Sequence, residues 1–528
     1  MVVNGYQCQE RHGETMKKVI FAAIYIRSYE TGMKIFELSN RNGMKELNRV
    51  VNHLELGKDA FTKEKISQEM MDNLCKTLND FKEFMKEYGV EEYRVCATSA
   101  LREVKNTRIL LDHIRVRTGF QVEILSNSEH RFIGYKSIAS KWEDFGEVIK
   151  KGTAIIDVGG GSIQISLFDK DSLITTQNIK LGSLRMRETL SALEDRSNHY
   201  GEYIEELVNK ELYHFKKFYL KDRDIKNVIV SGEFIVNLLD KADGNSLNNS
   251  VSAQEYGRIY DKISNLTPKE AAKQLGVAQE NARLILPFAI IYKRFIEIME
   301  AETIWAPNRD LGDGIAFDYA EQKNIIKSEH NFEDDIIASA KHMAKRYMAG
   351  KNHINNMEYL AVELFDATKK IHGLGARERL LLRIAVILCD CGKYISISKS
   401  AECSYHIIMA TEIIGLSHKE REEVANIVKF KHGEFEYFEE LSSHTSIDEE
   451  EYLVIAKLTG MLRLIEALDY SNKQKCKNTR YVLKDKTLSI LIESNDDIAL
   501  EKEKVAERRE FVEEVLGIVP IVKQKKSI

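Results

Sequence analysis

AIIDVGGGSIQISLF, residues 154–168, is the stretch whose reading decides the fold. An apolar strand ends in Asp157 and runs at once into Gly159, Gly160, Gly161 and Ser162. Three glycines let a turn take positive φ and bring successive N–H groups close to an anion, while the acid can hold Mg2+ or an attacking water. That is geometry for phosphoryl chemistry, although a plain tight hairpin accounts for a lone glycine turn as well. The same outline occurs earlier with other residues: VIFAAIYI (19–26) leads into RSYE (27–30), and MKIFEL (33–38) follows. Aligned without gaps, Ile24-Tyr25-Ile26-Arg27-Ser28-Tyr29-Glu30 lies over Ile156-Asp157-Val158-Gly159-Gly160-Gly161-Ser162, and Ile35-Phe36 over Leu167-Phe168. Each copy opens three strands joined by tight turns and continues into alternating helix and strand, which is a duplication signature.

Bulk properties limit what such a chain does. Its 528 residues have room for roughly three or four domains. Charged residues are 30%, hydrophobic ones 43%, and the net charge is −5. That is ordinary globular composition with no global attraction to DNA or anionic lipid, so any polyanion needs a local basic patch. The seven cysteines (8, 75, 96, 389, 391, 403 and 476) show no disulfide-framework spacing, which favours a reducing compartment. No apolar run approaches the ~20 residues that span a bilayer, and the N-terminus lacks an apolar signal core. A cytoplasmic protein without a membrane partner is expected.

From about residue 325 the strand signals stop. Long helical patterns follow, among them DDIIASAKHMAKRYMAG (334–350), HINNMEYLAVELFDATKKI (353–371) and YLVIAKLTGMLRLIEALDYS (452–471). The last segment returns to strand-like alternation (RYVLKDKTLSILIES, 480–494), adds a charged helix and ends in PIVKQKKSI. The expected division is 1–132 and 133–322 for the two α/β halves, 323–475 for an all-α domain and 476–528 for a small α+β module.

Other stretches offer phosphate ligands. VIVSGEF (228–234) ends a β-branched run in Ser231-Gly232, small enough for close approach by a phosphate, or simply a strand-to-helix turn. ATSALREVKN (97–106) places Thr98, Ser99 and Arg102 after a strand, where the hydroxyls can cap a helix and the arginine can reach an oxyanion. LSNSEHRF (125–132) puts Glu129 in the first turn of a helix, where a carboxylate also complements the helix dipole.

Taken in order, ATSALREVKN, SEHR, IDVGGGS, LGSLRMRE (181–188), VIVSGEF and RDLGDGI (309–315) resemble the exopolyphosphatase and guanosine pentaphosphate phosphohydrolase (Ppx/GppA) family. The resemblance continues through VILCDCGKY (386–394), KFKHGE (429–434) and MLRLIEALDYS (461–471) and covers nearly the whole chain. It implies a duplicated ribonuclease H-like core of the sugar kinase, Hsp70 and actin superfamily, then an HD-like helical domain and a small C-terminal module. It also implies Mg2+-dependent removal of terminal phosphate from inorganic polyphosphate or a guanosine penta- or tetraphosphate, often by a homodimer. On this pattern Glu129 falls on the catalytic glutamate that activates water, and Asp157 on the metal-site aspartate, with Glu129 beside the same metal. Gly159, Gly160, Gly161, Ser162, Arg102, Ser231 and Gly232 fall on the phosphate-binding positions, and phosphoryl transfer needs mainly positioning and charge neutralisation.

The chain departs from that pattern at several points. The family's first phosphate loop reads as an apolar strand, Asp, apolar, Gly, Ser, Asn, Ser; Tyr25, Ile26, Arg27, Ser28, Tyr29 and Glu30 stand there. A first loop that works does so through Arg27 and Ser28. Gln164 stands where the family commonly has Glu. The HD metal pattern needs His before Asp, whereas this chain has Cys389-Asp390, leaving His353, Asp390 and Asp469 as a degenerate site. A zinc site from Cys389, Cys391, Cys403 and His406 is allowed by spacing, but C-x-C on a helix points its thiols about 200° apart, which favours buried small hydrophobes. The sequence therefore leads to a phosphoanhydride hydrolase, with a weakened family member that binds and senses polyphosphate or an alarmone nucleotide as the alternative.

Overall fold

The computed structural model describes residues 18–140, 145–194, 199–221, 223–231, 235, 238–239, 250–275, 282–328 and 330–526. Two α/β sheets are repeats of one another. The first is five-stranded: β1 (Lys18–Ile26), β2 (Thr31–Ser39), β3 (Gly43–Asn52), β4 (Glu92–Ala97) and β5 (Val122–Ile124), in the order β3-β2-β1-β4-β5. The second is six-stranded: β6 (Thr153–Val158), β7 (Ile163–Asp169), β8 (Ser172–Ile179), β9 (Asn227–Ser231), β10 (Ser250–Ser252) and β11 (Thr303–Trp305), in the order β10-β11-β9-β6-β7-β8. Read from β8, its first five strands follow the same path as the first sheet.

The repeat extends to register. Tyr25 pairs with Gly32 on β2 and Cys96 on β4, while Asp157 pairs with Gln164 on β7 and Ser231 on β9. A β-bulge interrupts β2–β3 at Ile35/Phe36 and β7–β8 at Leu167/Phe168. Those are the pairs that superpose in the ungapped sequence alignment, so the duplication is structural down to an irregularity.

Period-2 alternation sends the two faces of each central strand into different cores. Ala22, Ile24 and Ile26 pack with helices Gln68–Glu87 and Thr107–Thr118, whereas Phe21, Ala23 and Tyr25 join the core that runs on into the helical region. Helix Leu311–Gln322 returns from the second half to that face, where Tyr319 stacks on Phe21 with ring centroids 4.2 Å apart. It crosses helix Asn127–Ala139 so closely that a Cβ on Gly314 would stand 2.3 Å from the carbonyl oxygen of Ile133. The division expected at residue 132 cuts through helix Asn127–Ala139.

Among the described residues, Phe332–Leu468 contains helices and no strand. Ser400–Ala410 is one of these helices. At the end of the chain, β12 (Thr479–Lys484), β13 (Thr487–Glu493) and β14 (Val519–Lys525) form a three-stranded sheet, with β14 parallel to β13. Helix Ala499–Leu516 lies against helix Glu449–Leu468, where Gly460 leaves room for Val515. No helix among the described residues is long and apolar enough to cross a membrane.

Candidate phosphate-binding cleft

The turns that follow β1 and β6 close alike and face each other. Arg27 N donates to Glu30 O at 2.8 Å, and Gly159 N donates to Ser162 O at 2.9 Å, at positions matched by the repeat. Ser28, buried, shares a 2.9 Å hydrogen bond with Ser99 Oγ. A Cβ on Gly160 would approach Ser28 Cβ to 3.2 Å, and one on Gly161 would stand 2.6 Å from Phe61 and 2.8 Å from Ser99 Oγ. None of Gly159, Gly160 and Gly161 has positive φ. The positive φ expected for these glycines is absent; it is Gly161 whose surroundings demand glycine, through Phe61 and Ser99, while Gly160 lies close against Ser28 of the opposite turn. Gly182, in LGSLRMRE, is held to glycine likewise, since its Cβ would lie 2.4 Å from the Gly160 backbone.

Asp157, at the penultimate rung before the glycine turn, is surrounded by protein donors. Ser231 Oγ donates to its Oδ1 at 3.0 Å, Arg27 Nη2 stands 3.7 Å from the same oxygen, and His130 Nε2 stands 3.9 Å from Oδ2. The His130 Nδ1 is 2.6 Å from Gln164 Nε2. A carboxylate facing Nε2 favours the proton on that nitrogen, so Nδ1 accepts from the glutamine amide. Burial pushes the imidazole down to about 3, so the ring is neutral near pH 7 despite Asp157. Burial disfavours the Arg27 charge, yet Asp157 and Glu30 more than offset this and hold its pKa above the ordinary value. Glu30 Oε1 is 3.5 Å from the guanidinium.

Glu129 lies elsewhere. Its Oε2 accepts from Ser126 N at 2.9 Å while Ser126 Oγ accepts from Glu129 N at 3.2 Å, a reciprocal capping box at the start of helix Asn127–Ala139. The carboxylate lines a cavity towards the helical region, whereas His130, about 100° further round the helix, faces Asp157. Sequence reasoning missed His130. The S-x-x-E spacing of Ser126 and Glu129 was the available signal, because it commits the glutamate to the cap.

Arg102 also turns from the glycine loop. Nη1 donates to Leu125 O at 2.6 Å and Nη2 to Asn127 Oδ1. Asn127 Nδ2 continues to Glu412 Oε1 of the helical region at 2.7 Å. Ser162 is buried at the glycine turn, and Gly232 lies outside the described residues. Tyr25, at the position matching Asp157, is buried, and its hydroxyl meets no hydrogen-bond partner among the described residues. Burial and nearby Asp310 raise its pKa.

The donors around Asp157 do not suit a protein-held Mg2+. Such a site needs oxygen ligands in an octahedron, but Arg27, His130 and Ser231 surround the single carboxylate and an amide stands at residue 164. Among the described residues no group of three or more His, Cys, Asp or Glu is placed to hold a metal ion. The helical region shows the same substitution of charge. His353 Nδ1 lies 2.6 Å from Asp469 Oδ2 and its Nε2 3.7 Å from Asp390 Oδ2, while the ammonium groups of Lys431 and Lys393 each stand 2.7 Å from Asp390. His353, Asp390 and Asp469 thus meet, and the buried Lys431 supplies a cation among them. Cys389 and Cys391 are buried, and burial pushes the Cys391 thiol up to about 12, the opposite of a zinc thiolate.

Two sheets of one topology, with matching turns facing each other and an aspartate before the glycine turn, define a duplicated α/β protein. The chain belongs to the Ppx/GppA phosphatase family, whose model matches residues 35–323; the model of Ppx/GppA phosphatase domain III matches residues 337–509. The bifunctional 3-dehydroquinate synthase/phosphatase of Fusobacterium nucleatum is 24% identical over 252 residues, covering 45% of this chain and 34% of that protein. Exopolyphosphatase 1 of Mycobacterium leprae is 20% identical over 248 residues, covering 46% of this chain and 71% of that one. The match thus spans about a third of the first relative's length and under three quarters of the second's. A solved exopolyphosphatase-like protein shares the fold at 17% identity and a TM-score of 0.52, over 58% of this chain and 99% of that one.

Proposed function

We propose that this chain binds the phosphate chain of inorganic polyphosphate, or of a guanosine penta- or tetraphosphate, in the cleft between its two turns and holds it with little turnover. The enclosure of Asp157 by Arg27, His130 and Ser231 carries the reading. Hydrolysis needs a base within reach of a water and charge neutralisation at the transferred phosphoryl group. In this cleft the imidazole nitrogens are committed to Asp157 and Gln164, and the carboxylate is already neutralised by a guanidinium. Arg27 is suited to a phosphate oxyanion, since a guanidinium presents a planar fork of donors. Mg2+ has a place here only if it arrives with the phosphates.

The second reading is phosphoanhydride hydrolysis, favoured by family membership and by the glycine turn with its preceding aspartate. Isothermal calorimetry with tripolyphosphate, run beside phosphate release in Mg2+, separates the two. Binding with release no faster than in a protein-free control supports the holding role. Sustained multiple turnover overturns it in favour of the hydrolase.

A further inference from the structure

The end of helix Tyr200–Phe215 exposes aromatic rings among lysines. The helix packs its apolar stripe, Ile204, Val208, Leu212 and Phe215, into the core of the second α/β half. It then widens into one π turn over Lys216–Leu220, where Lys221 N donates to Lys216 O at 3.0 Å. The extra residue in such a turn re-aims the side chains around it, and π turns are frequent at functional sites. Tyr213 is 64% and Phe218 54% exposed. Their rings form a group with His214, which meets Tyr213 edge-on at 5.3 Å and lies within 9° of parallel to Phe218, centroids 6.2 Å apart. At the flank, the Arg346 guanidinium lies 4.9 Å from the ring centroid of Tyr219.

The charge around the rings is mostly of one sign. Residues 210–221 hold four lysines, at 210, 216, 217 and 221, against Glu211 as the single acid. All four are exposed, and among the described residues none has a carboxylate within 4 Å. A lone exposed ring or a solvated lysine needs no partner. Rings and lysines interleaved on one turn match a single-stranded nucleic acid, whose bases stack on aromatic faces while its phosphates follow the cations. A bilayer fits less well, because an interfacial helix keeps an apolar face for lipid and this helix has buried its own. Inorganic polyphosphate would meet the lysines but has no use for the rings. We propose that this turn is a docking surface for single-stranded RNA, with bases on Tyr213, His214 and Phe218 and phosphates along the lysines. A local patch of this kind is what a chain of net charge −5 needs to hold a polyanion. The proposal goes beyond the cleft around Asp157 and uses none of its residues.

Fluorescence anisotropy of a labelled oligouridine of about 15 nucleotides tests it on the full chain, with circular dichroism to verify folding. A saturable signal is expected that weakens as salt rises. Tyr213→Ala combined with Phe218→Ala weakens it by at least about tenfold and leaves tripolyphosphate affinity unchanged. Lys216→Glu combined with Lys217→Glu weakens it at least as much. These side chains are exposed, so neither pair of substitutions opens the core. Loss in the lysine variant with the ring variant unchanged reduces the turn to a general polyanion patch and overturns the RNA assignment. Loss in Arg27→Ala with the ring variant unchanged places the oligonucleotide in the cleft and overturns it too. Absence of any oligonucleotide signal overturns the proposal outright. If the native chain then sediments with phosphatidylserine vesicles and the ring variant does not, the turn is a membrane contact instead.

Discussion

His130 Nε2 faces Asp157 Oδ2 at 3.9 Å from the helix that follows β5, one rung short of the glycine turn. The ring is buried and its pKa falls to about 3, against about 6.5 in an unfolded chain. The unfolded chain therefore binds a proton that the native state refuses. This contribution to stability is complete above pH 6.5 and is lost progressively as pH falls towards 3, by up to about 1.4 kcal/mol per pH unit. Urea unfolding at steps between pH 7 and 4.5 should show the loss, and His130→Asn should flatten it. Parallel pH profiles for the two proteins would show that the imidazole takes up its proton in the native state.

Glu129→Gln is expected to leave phosphate-chain binding and any phosphate release within about twofold of the native protein. Gln at the third helical position still accepts from Ser126 N, so the cap survives at a cost of under about 1 kcal/mol. A drop in phosphate release beyond tenfold with binding intact would return Glu129 to the role of water activator.

The duplication was legible because it is written in strand alternation, and the aligned pairs Ile35-Phe36 and Leu167-Phe168 turned out to carry the same bulge. The inward residue of helix Asn127–Ala139 was not. Ser128, His130, Arg131, Ile133 and Tyr135 are all buried there, so no polar stripe marks an outward face to count from. Family position alone then selected Glu129, whereas it is the neighbouring His130 that the helix turns towards Asp157. Likewise Arg131 meets a carboxylate 281 residues further on, a pairing that no local pattern announces. PIVKQKKSI carried no strand assignment of its own, because an edge strand such as β14 shows alternate side chains to solvent.

Arg27→Ala removes the cation between Asp157 and Glu30. Two partly buried carboxylates then lose a partner, at a cost of about 1–3 kcal/mol, while the cleft loses its guanidinium fork. Tripolyphosphate affinity at the cleft is expected to fall by at least about tenfold. Unchanged affinity in a folded variant would place the phosphate away from the first turn.

Lys431 is fully buried, with Nζ 2.7 Å from Asp390. Lys431→Ala leaves Asp390 to Lys393 and His353 and should destabilise the protein by about 3–5 kcal/mol in urea unfolding. Lys431→Met combined with Asp390→Leu should recover much of the loss, because it removes both charges together. A single variant that costs under about 1 kcal/mol would mean that water or Lys393 already neutralises the carboxylate.

Three side chains govern the state of Asp157, two directly and one through the other. Arg27 brings a positive charge to it, His130 presents a neutral ring, and Gln164 supports that ring with an amide. Arg27→Gly, His130→Glu and Gln164→Glu made together leave three carboxylates around one rung and remove the guanidinium that neutralises Asp157, a donor set suited to a hard divalent cation. His130→Glu is the decisive member, because the side chain at 130, not at 129, points at Asp157. The triple variant is expected to gain Mg2+-dependent phosphate release from polyphosphate of at least about tenfold over the native protein, with Tyr25→Asp added as a further arm. Stability should fall at the same time, since like charges now share a partly buried site and metal binding must offset their repulsion. Mg2+ should therefore raise the melting temperature of the triple variant and leave that of the native chain unchanged. Stabilisation by Mg2+ without a gain in phosphate release would show that the missing carboxylates govern metal affinity alone, and that turnover is limited elsewhere in the cleft.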